Sequence, residues 1–155
     1  MKYFFSLFVL LACFSCETSK TAVTAEAENT TQNEALMENQ LKGKWTLNYM
    51  SPIAGKDIHQ LFKIQKPYLN FVDETKVAGN NGCNNIAGTY TAKDDEIHFN
   101  TESFLATRMF CEGVDETAFT GILKTINRFT VINEGQKLLL LTGDIVSMTL
   151  VKTEE

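Results

Sequence analysis

The sequence predicts a mainly β fold of the α+β kind, with about eight short antiparallel strands curled into a barrel-like sheet and one helix over about 115–127. Three observations predict it. Beyond residue 39, aromatic and β-branched residues come in short runs separated by turn signals. Several runs alternate apolar and polar residues with a period of two. A single segment carries the helical period instead. Residues 39–155 suffice for one domain of ordinary size.

The elements follow in order. Lys44 to Tyr49 alternates strictly, which puts Trp45, Leu47 and Tyr49 on one face. Pro67 to Val72 reads as a second strand, with Tyr68 and Asn70 opposite Leu69 and Phe71, and Lys76 to Gly79 as a short third. Ile86 to Ala92 and Glu96 to Phe99 form a hairpin around Lys93, Asp94 and Asp95. From Asp115 to Asn127, Ala118, Phe119, Ile122, Leu123 and Ile126 recur at helical spacing, with Asp115 as N-cap and Glu116 where the helix dipole favours an anion. Phe129 to Ile132, Lys137 to Thr142 and Ile145 to Val151 complete the set, joined by Asn133-Glu134-Gly135-Gln136 and Gly143-Asp144. In the last strand Val146, Met148 and Leu150 share one face, opposite Ser147 and Thr149. The helix is expected to plug or cover one end of the curled sheet.

The first forty residues are of another kind. Lys2 precedes an apolar run from Tyr3 to Phe14 that is too short for a bilayer, which needs about 20 residues. Residues 1–15 therefore read as a secretory signal peptide. The segment also resembles a bacterial lipoprotein signal, in which the cysteine after the cleavage point receives the lipid. Cys13 follows Leu10-Leu11-Ala12, the closer lipobox, but leaves a very short apolar core; Cys16 follows Cys13-Phe14-Ser15 and leaves an ordinary one, so Cys16 is preferred. Residues 16–38 lack aromatic side chains and are rich in Thr, Ala, Glu and Asn, the composition of a flexible tether. As coil, the 22 residues from Glu17 to Glu38 span roughly 25 Å. A short helix can close the tether, with Thr31 and Glu34 at capping-box spacing and Gly43 as its stop.

Without residues 1–15 the chain keeps 13 basic and 19 acidic residues, a net charge of −6. With no Lys/Arg cluster there is no electrostatic footprint for nucleic acid. No nucleophile-base motif, zinc-protease motif or phosphate loop is present, so no enzyme is expected. Asp94 and Asp95 are adjacent on a turn, and no cofactor is expected. His59 and His98 are the only histidines, and alternation turns His98 to solvent with Glu96, so a metal site is a weak hypothesis.

Gly79 to Tyr90 reads GNNGCNNIAGTY, which resembles the G-x-x-GCN-x-x-x-G-x-Y signature of the META domain (HslJ-like) family in Gly79, Gly82, Cys83, Asn84, Gly88 and Tyr90. Thr107-Arg108-Met109-Phe110-Cys111 is similar to that family's T-x-M-x-C segment, and Glu116, Phe119 and Leu123 to its E-x-x-F-x-x-x-L helix. Leu41 to Trp45 resembles its L-x-G-x-W start, and Pro67 to Phe71 its second strand. The likeness covers about residues 41–152. It implies a small β-rich domain with one helix, often exported and lipid-anchored, without enzymatic activity, and associated with heat response, envelope stress and novobiocin tolerance.

If Cys16 is lipidated, Cys83 and Cys111 are the two remaining thiols of an exported domain, where a pair is usually a disulfide; the other reading is two buried free thiols. Gly79, Gly82 and the asparagines would bend the backbone so that Cys83 faces Cys111. Asn80, Asn81, Asn84 and Asn85 read first as satisfying turn backbone, and second as presenting amides to a ligand. The expected protein is a monomeric, lipid-anchored lipoprotein of a Gram-negative cell envelope, on the outer membrane, with a role in stress response. Its curled sheet holds an apolar ligand at its open end or a partner on a face; the alternative is a packed-core module docking another envelope protein through Phe104, Met109 and Phe110, and a hydrolase comes third.

Overall fold

The computed structural model describes residues 40–154. The expectations for the leader over 1–15, lipidation at Cys16, the tether over 16–38 and the Thr31–Glu34 cap lie outside the described residues. The elements run β1 (Gly43–Met50), α1 (Ile58–Leu61), β2 (Tyr68–Phe71), β3 (Lys76–Asn80), β4 (Asn85–Lys93), β5 (Glu96–Phe99), β6 (Leu105–Ala106), α2 (Glu116–Leu123), β7 (Arg128–Ile132), β8 (Lys137–Thr142) and β9 (Ile145–Thr153).

All pairings are antiparallel. The strand order β3-β2-β1-β9-β8-β7-β5-β4, with β3 also paired to β4, closes an eight-stranded barrel. After a 3₁₀ turn at Thr101–Ser103, the two-residue β6 takes up the same edge of β4 that β5 has just left. Antiparallel alternation puts residues 51–67, 81–84 and 100–127 at one end of the barrel, and the chain's entry into β1 at Gly43 at the other.

The interior is filled. Trp45, Leu47, Met50, Leu69, Phe71, Ile97, Leu138, Leu140, Met148 and Leu150 are buried in one cluster. The Trp45 indole donates to Leu41 O at 2.5 Å, which satisfies its one polar atom. Phe71, Tyr90 and Phe99 stack against each other, Phe71 and Tyr90 edge to face at 4.9 Å. The helix α2 turns Ala118, Phe119 and Leu123 into the same cluster, so it closes over the barrel interior.

Three expectations need correction. Tyr49 does not share the face of Trp45 and Leu47: a bulge between Leu47 and Tyr49 adds one residue, so Met50 is buried and Tyr49 is 44 % exposed. A second bulge between Leu140 and Leu141 sets Val146 opposite Leu141, off the inner face of Met148 and Leu150. The helix ends at Leu123 rather than near 127, because Lys124 caps it and the chain tightens into a turn whose N–H groups reach back three and four residues. The periodicity persists because Ile126, beyond the helix, still packs into the core.

Besides the 3₁₀ turn at Thr101–Ser103, two elements were not foreseen. Asp57 caps α1 in a capping box with Gln60, a signal that the spacing of those two residues carries. The two-residue β6 is too short to have any signal of its own.

Candidate functional site

The Asn- and Gly-rich turn between β3 and β4 is held mainly by its own side chains. Asn81 Oδ1 accepts from the N–H groups of Cys83 (3.1 Å) and Asn84 (2.7 Å), and Asn80 Oδ1 from that of Gly82 (2.7 Å). These are the short-range bonds by which asparagine stabilises turns. Gly82 sits at φ +100°, where a side chain would be strained, and a Cβ there would meet Phe62 Cδ1 at 2.5 Å. Gly79, by contrast, does not bend the chain. It lies within β3, where a Cβ would stand 2.2 Å from Tyr68 O, so it permits close approach of β2.

Asn84 does more than satisfy its own turn. Only 1 % exposed, it reaches across to the segment before α2. Its Oδ1 accepts from Thr107 Oγ1 and from Met109 N–H, each at 2.7 Å. Its Nδ2 donates to Met109 O at 3.1 Å and to Glu116 Oε2 at 2.5 Å. Thr107 adds two bonds, its N–H to Asn85 O at 3.0 Å and its Oγ1 accepting from Asn85 N–H at 3.1 Å. The Cys83–Cys111 disulfide, with Cα atoms 5.8 Å apart, completes the clasp. The two cysteines are therefore paired.

The sequence-predicted site residues thus have unequal positions. Cys83, Asn84, Thr107, Met109, Cys111 and Glu116 meet in the clasp, while Tyr90 and Phe119 belong to the core. Tyr90 also donates its hydroxyl to Asp73 O at 2.9 Å. Gly88 lets Phe104 lie flat on β4, since a Cβ there would meet Phe104 Cδ1 at 2.1 Å. Phe104 is consequently half-buried and forms no part of an exposed patch. Met109 and Phe110 point out, 55 % and 90 % exposed, and Leu105 is 76 % exposed. Across the Phe62–Val114 bridge, Ile64 and Lys63 are exposed as well. The clasp therefore immobilises a segment and leaves its apolar side chains in water.

Elsewhere, Arg128 binds both Asp95 and Asp144 beside a surface cavity of about 240 Å³. The hydrogen bond from Arg128 holds the Asp95 carboxyl below the usual range, opposite to what a general acid requires. His98 is exposed next to buried Ile97 and Phe99. Among the described residues no three His, Cys, Asp or Glu side chains converge as a metal site would.

The META domain family model matches residues 38–155. No curated protein matches the chain. Among solved structures, the chain is similar to a protein from Burkholderia xenovorans solved by NMR, with TM-score 0.61 and 22 % identity, covering 77 % of this chain and 88 % of that one. It is also similar to a DUF4847 family protein from Bacteroides vulgatus, with TM-score 0.52 and 15 % identity, covering 77 % and 99 % of the two chains. These likenesses show the fold alone.

Proposed function

Because the chain belongs to the META domain family, we propose that it is a non-catalytic, lipid-anchored protein of a bacterial cell envelope that binds another envelope protein through residues 105–111. The observation that carries this reading is Phe110, 90 % exposed on a segment that a disulfide and a buried asparagine hold in place. A large apolar side chain kept in water by rigid neighbours is a surface prepared for a partner. The filled interior favours docking over an enclosed ligand, since an eight-stranded barrel holds a ligand only where side chains leave room. The lysine-led apolar leader and Cys16 support the anchor, which we place on the outer membrane, and the tether gives the domain reach. The chain's entry lies at the barrel end opposite the clasp, so a domain standing on its tether turns residues 105–111 away from its own bilayer. The role is one in envelope stress tolerance.

The test is a photo-crosslinking side chain in place of Phe110 in the lipidated protein, irradiated in intact cells. A discrete protein adduct is expected at position 110 and not with the same side chain at Ile132. Equal labelling at both positions overturns the docking reading. Separately, Cys16→Ser is expected to release the chain from the membrane fraction, and retention there removes the anchor.

A further inference from the structure

We propose that the outer edge of residues 105–109 takes up an extended segment of the partner protein as an added β-strand, an inference that rests on the docking reading above. Leu105 lies in register with Ala87, and Thr107 N–H donates to Asn85 O. Met109 continues this ladder by a different route. The Asn84 carboxamide accepts from its N–H and donates to its C=O, so a side-chain amide stands where the next ladder peptide would be. Residues 105, 107 and 109 therefore turn their backbone groups inward. By the two-residue alternation of a strand, Ala106 and Arg108 turn theirs outward.

That outward edge is open among the described residues. The eight barrel strands each have a neighbour on both sides, whereas β6 ends the strand order, with β4 as its one partner among the described residues. Among the described residues, no main-chain bond is made by Arg108. Edge strands are usually blunted by several charges or by proline; residues 105–109 contain no proline and one charge, Arg108. The Asn84 clasp holds it in place before anything binds, which lowers the ordering cost of strand addition.

The side chains specify the occupant. Residues directly opposite one another on paired strands share a face. Leu105 and Met109 are exposed and apolar, and the Arg108 guanidinium makes no ion pair among the described residues. An antiparallel peptide that complements them reads apolar, acidic, any, any, apolar, with its carboxylate opposite Arg108. Pairing with a second copy fits less well, because it would put two Arg108 cations on one face of a short ladder with no carboxylate between them.

The test is a displayed library of ten-residue peptides panned on the purified, detergent-solubilised full chain. The expected result is enrichment of the apolar–acidic–any–any–apolar pattern, with slowed amide exchange at Ala106 and Arg108 on binding. Ala106→Pro removes the outward N–H at an edge position, where proline is tolerated, and is expected to weaken the selected peptides about tenfold without moving the unfolding midpoint. Arg108→Glu is expected to exchange the acidic preference for a basic one. Three results would each overturn the proposal: no enriched peptide, binding unaffected by Ala106→Pro, or a native mass showing that the edge pairs with a second copy. Crosslinking at position 110 that survives Ala106→Pro would leave the docking reading standing and remove strand addition.

Discussion

Asn84→Ala removes the one side chain that joins three parts of the clasp. Lost are the bonds to Thr107 Oγ1 (2.7 Å), Met109 N–H (2.7 Å), Met109 O (3.1 Å) and Glu116 Oε2 (2.5 Å). A neutral bond contributes about 1 kcal/mol net and a bond to a charged group about 1.5–3 kcal/mol. Met109 is half exposed and water can replace part of its loss, so the expected destabilisation is about 3 kcal/mol. Against a total of about 5–15 kcal/mol that is a large fraction. Urea unfolding of the disulfide-intact protein measures it, followed by the fluorescence of Trp45, which is fully buried. Asn84→Asp, of nearly equal size, would set a second carboxylate against Glu116 and is expected to cost more than Ala. In a Cys83→Ala, Cys111→Ala background, Asn84→Ala should cost less, since both devices restrain the same segment; a coupling of at least about 0.5 kcal/mol is expected. A cost for Asn84→Ala under about 0.5 kcal/mol in the intact protein, or strict additivity with loss of the disulfide, would refute the clasp as the device that holds residues 105–111.

Three further outcomes are expected. Gly88→Ala drives a methyl group against Phe104 Cδ1 and should cost about 1–3 kcal/mol, with faster amide exchange at Thr107 as the segment loosens. Met50→Ala should cost about 2–5 kcal/mol while Tyr49→Ser stays nearly neutral in the same unfolding assay, the reverse of what uninterrupted alternation from Trp45 predicts. Asp73 is held at about 2, below its ordinary 3.8, chiefly by the Thr75 N–H and also by the Lys76 N–H and side chain. A depressed carboxyl stabilises the fold above its unfolded pKa, so this contribution should fade as pH falls from about 3.8 through about 2. Asp73→Asn should flatten the stability profile in that window, as unfolding midpoints across pH would show.

Local signals carried much of the architecture. The hairpin of β4 and β5, the β7–β8–β9 meander and the buried faces of β2 and β5 follow from alternation and turn residues alone. The bulges at Asn48 and Ser147 left no trace, because one extra residue in a strand changes a register, and a register exists only between two strands. The helix length was overestimated for a related reason, since burial of Ile126 by the core imitates one more helical turn. The site was legible in part. Cys83, Asn84, Thr107, Met109, Cys111 and Glu116 could be singled out together through a family likeness, and the local turn role of Asn80 and Asn81 through their chemistry.

By itself, the sequence determined the class of fold, the longer helix α2 and the pair of cysteines suited to a disulfide, since each depends on residue type and spacing along one stretch of chain. Only the tertiary structure decided that the interior is filled, that Phe104 is covered while Met109 and Phe110 are not, and that Asn84 stands in for a peptide group beside Met109. Those outcomes depend on which distant segments meet, across 25 residues for Asn84 and Met109 and 28 for the disulfide. No local propensity encodes such a meeting; closure of the barrel and the approach of Phe104 over Gly88 do.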